Sequence, residues 1–219
     1  MRAVQVAALM VTALALAASA AAARDPKDPQ QRHTAADTKL AKSLALKQSD
    51  LVAGWKPATP TPNPPPCRTE PDESKLVQTA RIDPTFIWTD GITTLGTEVD
   101  VFKTAAMAQT DWGLSTLKLF RDCLLQSARD QLTHYTVHVV SAKQLAPPSV
   151  PAERSLHYQL VFAISRAGRT VPMVTDVIAL GKGRETVVMH SLSVRSPLPS
   201  SAVRAIVQLL ANRLGTGGI

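Results

Sequence analysis

Hydrophobic and polar positions change their period several times along the chain, and each change predicts a different element. Val4 to Leu16 is almost continuously apolar, preceded by Arg2 and followed by the small residues Ala18-Ser19-Ala20 through Ala23. That is the layout of a secretory signal over 1–23. The run is shorter than the roughly 20 apolar residues that a bilayer span needs, and no second such run follows. Arg24 to Arg32 is polar and proline-containing, which predicts a mobile leader over 24–33. Thr34-x-x-Asp37 then has the form of a capping box, and Leu40 and Leu44 share a helical face, so a helix is expected from Ala35 to Lys47. Pro57, Pro60, Pro62, Pro64, Pro65 and Pro66 exclude regular helix and predict an extended loop over 57–66 leading into Cys67.

Alternation takes over from Leu76. Leu76, Ala80 and Ile82 alternate with polar neighbours, and beyond the Asp90-Gly91 turn Val99 and Val101 alternate with Glu98 and Asp100, predicting two antiparallel strands. Thr104 can cap a long helix to about Ala128, with Leu117, Phe120, Leu124 and Ala128 on one stripe and Gly113 as a point of division. Tyr135, Val137 and Val139, and then Leu156, Tyr158, Leu160, Phe162 and Ile164, mark half-buried strands. Turns at Arg166-Ala167-Gly168-Arg169 and Gly181-Lys182-Gly183 place two more near 171–180 and 186–194. Past Pro197 and Pro199, Ser200 or Ser201 opens a closing helix in which Val203, Ile206, Val207, Leu210 and Leu214 form the stripe and Gly215 the stop, leaving a tail over 215–219. Helices segregated from an antiparallel sheet make one α+β domain over 34–214, in the order α-β-β-α-β-β-β-β-α.

Composition narrows the function classes. Hydrophobic residues make up 45% of 219, enough for one core, and charged residues 19%. The formal net charge is +7, but Lys and Arg are spread along the chain without interleaved aromatics, which argues against nucleic acid. Weak contact with anionic envelope polymers or lipid headgroups, or solubility alone, accounts for the sign. The two cysteines are Cys67 and Cys123, so an exported chain favours one disulfide; the rival is a nucleophilic thiol served by His33, His134, His138, His157 or His190. Neither cysteine lies at the cleavage region, which leaves no site for lipid anchoring there.

Strong catalytic signatures are missing: there is no Gly-x-Ser-x-Gly elbow, His-Glu-x-x-His or Walker loop. His134 and His138 would chelate a metal on a helix, but four strand residues span roughly 13 Å. No cofactor is implied. Glu98 and Asp100 share a strand face about 7 Å apart, near a glycosidase spacing, and ordinary solvated charges explain them equally well. Trp55, Trp88 and Trp112 read as core or loop anchors before they read as stacking platforms. The polar sides of the later strands carry His134, Thr136 and His138, then His157 and Gln159, then Asp176. Left uncovered, that side forms a shallow ligand-binding groove; otherwise it is ordinary solvated sheet.

The order helix, Asp50-Leu51-x-x-Gly54-Trp55, proline loop with a cysteine, strands, a helix carrying Asp122-Cys123-Leu124, further strands and a closing helix resembles the extracellular sensor domain of the mycobacterial serine/threonine kinase H. Small exported actinobacterial proteins built from that module alone are similar. The resemblance implies an antiparallel sheet flanked by helices, a disulfide tying the loop to the long helix, and a cleft for an unidentified signal. The chain departs from the kinase in lacking its glycine-rich loop, its His-Arg-Asp loop and a membrane span. The expectation is therefore a secreted, non-catalytic binding domain for a small-molecule, lipid or glycan ligand of the envelope. A secreted hydrolase and an adhesive envelope protein are the alternatives.

Overall fold

The computed structural model describes residues 26–58, 67, 71–131 and 133–216. The expected signal over 1–23, nearly all of the proline loop and the end of the tail lie outside the described residues. The α+β class holds: among the described residues, four α-helices cover a nine-stranded sheet that is antiparallel except at one edge.

Strands β1 (Gln30–Gln31), β2 (Trp55–Pro57), β3 (Val77–Ile82), β4 (Thr85–Trp88), β5 (Thr94–Phe102), β6 (Thr136–Leu145), β7 (Arg154–Arg166), β8 (Arg169–Lys182) and β9 (Glu185–Val194) form it, with the order β1-β3-β5-β9-β8-β7-β6. β4 joins the first half of β5, and β2 joins β4. β7 alternates buried and half-buried positions as expected, whereas β8, expected from its flanking turns, is buried continuously from Met173 to Gly181, and β6 breaks register between Val139 and Ser141. β7 and β8 turn over Ala167 and Gly168, both at positive φ, the backbone that a two-residue hairpin requires.

Three short strands and a divided helix depart from the expected order. Gln30 and Gln31 pair in parallel with Val77 and Gln78, so the fold begins inside the segment expected to be a mobile leader. β2 takes in Pro57, the first residue of the expected proline loop, and β4 adds a strand before the Asp90-Gly91 turn. Helix α1 (Ala35–Leu44) stops three residues short of Lys47. Its Thr34 hydroxyl accepts from the Asp37 amide at 3.1 Å, while the Leu46 amide is drawn off to Thr97 Oγ1 at 3.1 Å. The long helix becomes α2 (Ala105–Leu114) and α3 (Leu117–Gln131) because Thr116 caps a second start, accepting from the Leu119 amide at 3.2 Å. Closing helix α4 (Ser200–Thr216) runs through Gly215 rather than stopping before it.

The helices sit on both faces of the sheet. On one face Leu95, Val99 and Val101 of β5, Val187 and Met189 of β9, and Ile178 and Leu180 of β8 pack beneath α1 and α4. On the other, Leu156, Tyr158 and Leu160 of β7 pack with Trp112, Leu117, Phe120 and Leu124 of α2 and α3. Every α3 residue from Arg121 to Ala128 is only half-buried, so this helix rests on the sheet without sinking into it. A disulfide joins Cys123 of α3 to Cys67, as the even cysteine count predicts, and no free thiol remains, which removes the nucleophilic-thiol reading. No helix among the described residues is long and apolar enough to cross a membrane.

Candidate functional site

The six polar strand residues divide into two groups. His157 and Gln159 of β7 converge on Asp176 of β8, with His157 Nε2 2.9 Å from Asp176 Oδ1 and Gln159 Nε2 donating to the same oxygen at 3.0 Å. Thr136 and His138 share that sheet face on edge strand β6, opposite Ser165 and Ala163, and both are exposed. His134 is exposed in the turn before β6. α4 roofs this face over β8 and β9, so the groove expected from the sequence is covered at Asp176 and open only toward β6. Ser191 pairs across the strands with Asp176 and is buried, but Asp176 stands between it and His157, so no serine–histidine pair forms.

The opposite face holds a different cluster, at the seam between α2 and strands β3, β5 and β9. Register builds it. Asp100 of β5 lies between Arg81 of β3 and Thr186 of β9, and the row continues through Gly181 of β8 to Arg154 of β7. Glu98 is two residues along β5 on the same face, and Ala108, Asp111 and Trp112 occupy one face of α2 above. Ala108 is fully buried against Phe102 and Leu76, which seats α2 and brings Asp111 over the cluster.

The contacts within the seam are polar and incomplete. Gln78 Nε2 donates to Asp100 Oδ1 at 2.6 Å with both residues buried. Arg81 meets Glu98 at 2.7 Å, with 42% and 30% of the two side chains exposed, so this pair forms the solvent side. Arg154 lies flat across Gly181, stacks on Trp112 at 5.6 Å, and binds the Gly183 carbonyl at 3.1 Å and Gln109 at 3.4 Å. Its Nε and the Thr186 hydroxyl are nevertheless buried without a partner. Orphaned polar atoms inside a folded chain are uncommon and costly.

Charge in the seam is unbalanced toward the acidic side. Burial, then the charge of Glu98, raises Asp100 well above the usual carboxylate range. Burial followed by Glu98 likewise pushes Asp111 up to about 6. Asp83, just beyond β3, is raised by desolvation and then by Glu98, with His190 and Arg81 opposing. Asp100 is a buried acid held by Gln78 rather than one of a row of solvated charges.

Sequence alternation put Glu98 and Asp100 on one face but could not show that a helix covers it. Arg81, Asp111, Arg154 and Thr186 were missed; the available signal was Asp111, a carboxylate three residues after the buried Ala108 on the inward face of a helix. Among the described residues, no set of three His, Cys, Asp or Glu side chains is arranged to hold a metal ion. A narrow apolar crevice with no room for a water molecule lies between α3 and the sheet, lined by Leu124, Leu125, Ala128, Val139, Leu160 and Phe162. No family model matches the chain, and no curated protein matches it either.

Proposed function

We propose that the protein is an exported, non-catalytic ligand-binding domain of the sensor type, and that its ligand site is the seam beneath α2. One observation carries the reading: buried Asp100, on the same strand face as Glu98, lies beside the buried and unpartnered Thr186 hydroxyl. A chain that keeps polar groups unsatisfied under a helix does so at a cost to stability, and a ligand that supplies the missing partners recovers it. The Cys67–Cys123 disulfide suits an oxidising compartment. The likeness of the element order to the kinase sensor module supports binding over chemistry.

Amide NMR titration of the purified chain with envelope glycans, lipid headgroups, amines and amino-acid amides tests the proposal. Shifts centred on Glu98, Asp100, Asp111 and Thr186, weakened by Glu98→Gln, are expected. Ligand-induced shifts that map elsewhere, or turnover of a glycan or ester substrate abolished by Glu98→Gln, would refute it.

A further inference from the structure

Resting on that reading of the seam, we infer that the ligand it takes is an organic cation, a primary ammonium or guanidinium group, bound by Glu98 and Asp111 with the Thr186 hydroxyl as a further acceptor.

Five elements contribute titratable groups. β3 and its end bring Arg81 and Asp83, β5 brings Glu98 and Asp100, α2 brings Asp111, and β7 brings Arg154, with His190 of β9 beside Gly96 at the rim. Four carboxyl groups therefore face two guanidinium groups. Arg154 is committed to Gln109, the Gly183 carbonyl and the Trp112 ring, and Arg81 serves Glu98 from the solvent side. Arg154 Nε is itself buried without an acceptor, so what is missing is a cationic N–H donor placed to meet Glu98 and Asp111. An ammonium offers three and a guanidinium five, and either meets carboxylates with charge-assisted hydrogen bonds. A neutral polyol would leave the charge excess in place. A bare metal ion requires a ligand geometry that the described residues do not form.

One of the two acids assigned to the cation, Asp111, is protonated below about pH 6. Asp111 titrates at about 6, raised by burial and then by Glu98, and Asp100 lies well above its usual range for the same two reasons. Cation entry replaces a proton, so binding strengthens as pH rises through 6 and weakens below it. One displaced proton corresponds to about tenfold in affinity per pH unit beneath the midpoint.

The experiment is calorimetry and amide NMR on the full secreted chain at pH 5.0 and 7.0, with 1,4-diaminobutane and arginine amide as cationic probes, glucose as the neutral probe, and magnesium and calcium chloride as metal probes. The expected result is cation binding that tightens about tenfold from pH 5.0 to 7.0, disappears in Glu98→Gln, and loses most of its pH dependence in Asp111→Asn. Arg81→Gln removes the internal competitor at an exposed position, so it should tighten binding severalfold. It also keeps the test open should Glu98→Gln fold poorly. Binding of the cations that is indifferent to pH and to Arg81→Gln would overturn the inference, as would seam shifts given only by magnesium or calcium. Glucose shifts at the seam without cation shifts would overturn the cationic class while leaving the seam as the ligand site. If no probe in either panel moves the seam resonances, both readings fall.

Discussion

Asp37, in the first turn of α1, grips the guanidinium of Arg184 from the β8–β9 turn 147 positions later, through Nη1 to Oδ2 at 3.0 Å and a second bond from Nη2 to Oδ1. Arg184 Nη1 also reaches the Phe102 carbonyl at 3.3 Å, so one side chain ties α1, β5 and the hairpin together. The hydrogen bonds from Arg184 hold Asp37 below its ordinary value despite partial burial. Arg184→Met should leave that carboxylate buried without its partner and cost about 1–2 kcal/mol, the lower part of the range for charged hydrogen bonds because Arg184 is 35% exposed. An acid with a lowered folded pKa stabilises above its unfolded value and loses that contribution as pH falls through the folded one. The gap between wild type and Arg184→Met should therefore close below about pH 4 in urea melts; an equal gap at pH 3 and pH 7 would exclude the ion pair as its source.

The Cys67–Cys123 bridge closes a separation of 56 residues and anchors a helix none of whose residues from Arg121 to Ala128 is fully buried. The chain-entropy relation assigns such a loop about 4 kcal/mol. Replacing both cysteines by serine should lower stability by an amount of that order. Hydrogen exchange in α3 should rise before exchange in β8 and β9, which are buried between helix layers. Uniform acceleration across the sheet would show that the bridge supports the whole fold rather than this helix.

Gly54 has φ of +111°, and a Cβ there would fall 2.6 Å from the Trp88 indole, which meets Trp55 edge-to-face at 5.3 Å. Gly54→Ala therefore faces both backbone strain and a clash with a ring, and should cost on the order of 2 kcal/mol. Because Trp88 and Trp55 sit in β4 and β2, the loss should show as a change in tryptophan emission under native conditions. Unchanged emission and stability would mean that the β2–β4 flap is not held by this contact.

Legibility in the sequence follows the length of each periodic run. β7 spans 13 residues and its alternation specifies both face and register, while β8 and β9 are legible from the turns that flank them, β8 being buried on both faces. β1 and β2, at two and three residues, carry no period at all, and β1 forms only because β3 offers an edge. The break between α2 and α3 was sought at Gly113 but falls at Thr116, where a hydroxyl competes for a backbone amide. The site was half visible for a deeper reason. Alternation tells which residues share a face, as it does for Glu98 and Asp100, but an open antiparallel sheet and one covered on both sides differ only in what lies above the polar face. That depends on α2 seating Ala108 against Phe102, a contact no local pattern encodes.

Asp111 gives the seam a signature that can be read without any ligand. Its pKa is raised to about 6 by burial and then by Glu98, so the folded state holds a proton there that the unfolded chain, titrating near 4, gives up. The sign is opposite to that at Asp37: the contribution is present at low pH, declines as pH rises from about 4, and is gone above about 6. Asp100 and Asp83 move in the same direction, so Asp111→Asn will not flatten the profile completely. The variant should nevertheless be more stable than wild type at pH 7.5, by on the order of 2 kcal/mol, and should lose most of that advantage at pH 4. Urea midpoints at the two pH values measure the difference. A variant less stable than wild type at pH 7.5 would mean that ionised Asp111 already has a favourable partner within the protein, and the excess of negative charge at the seam would have to be abandoned.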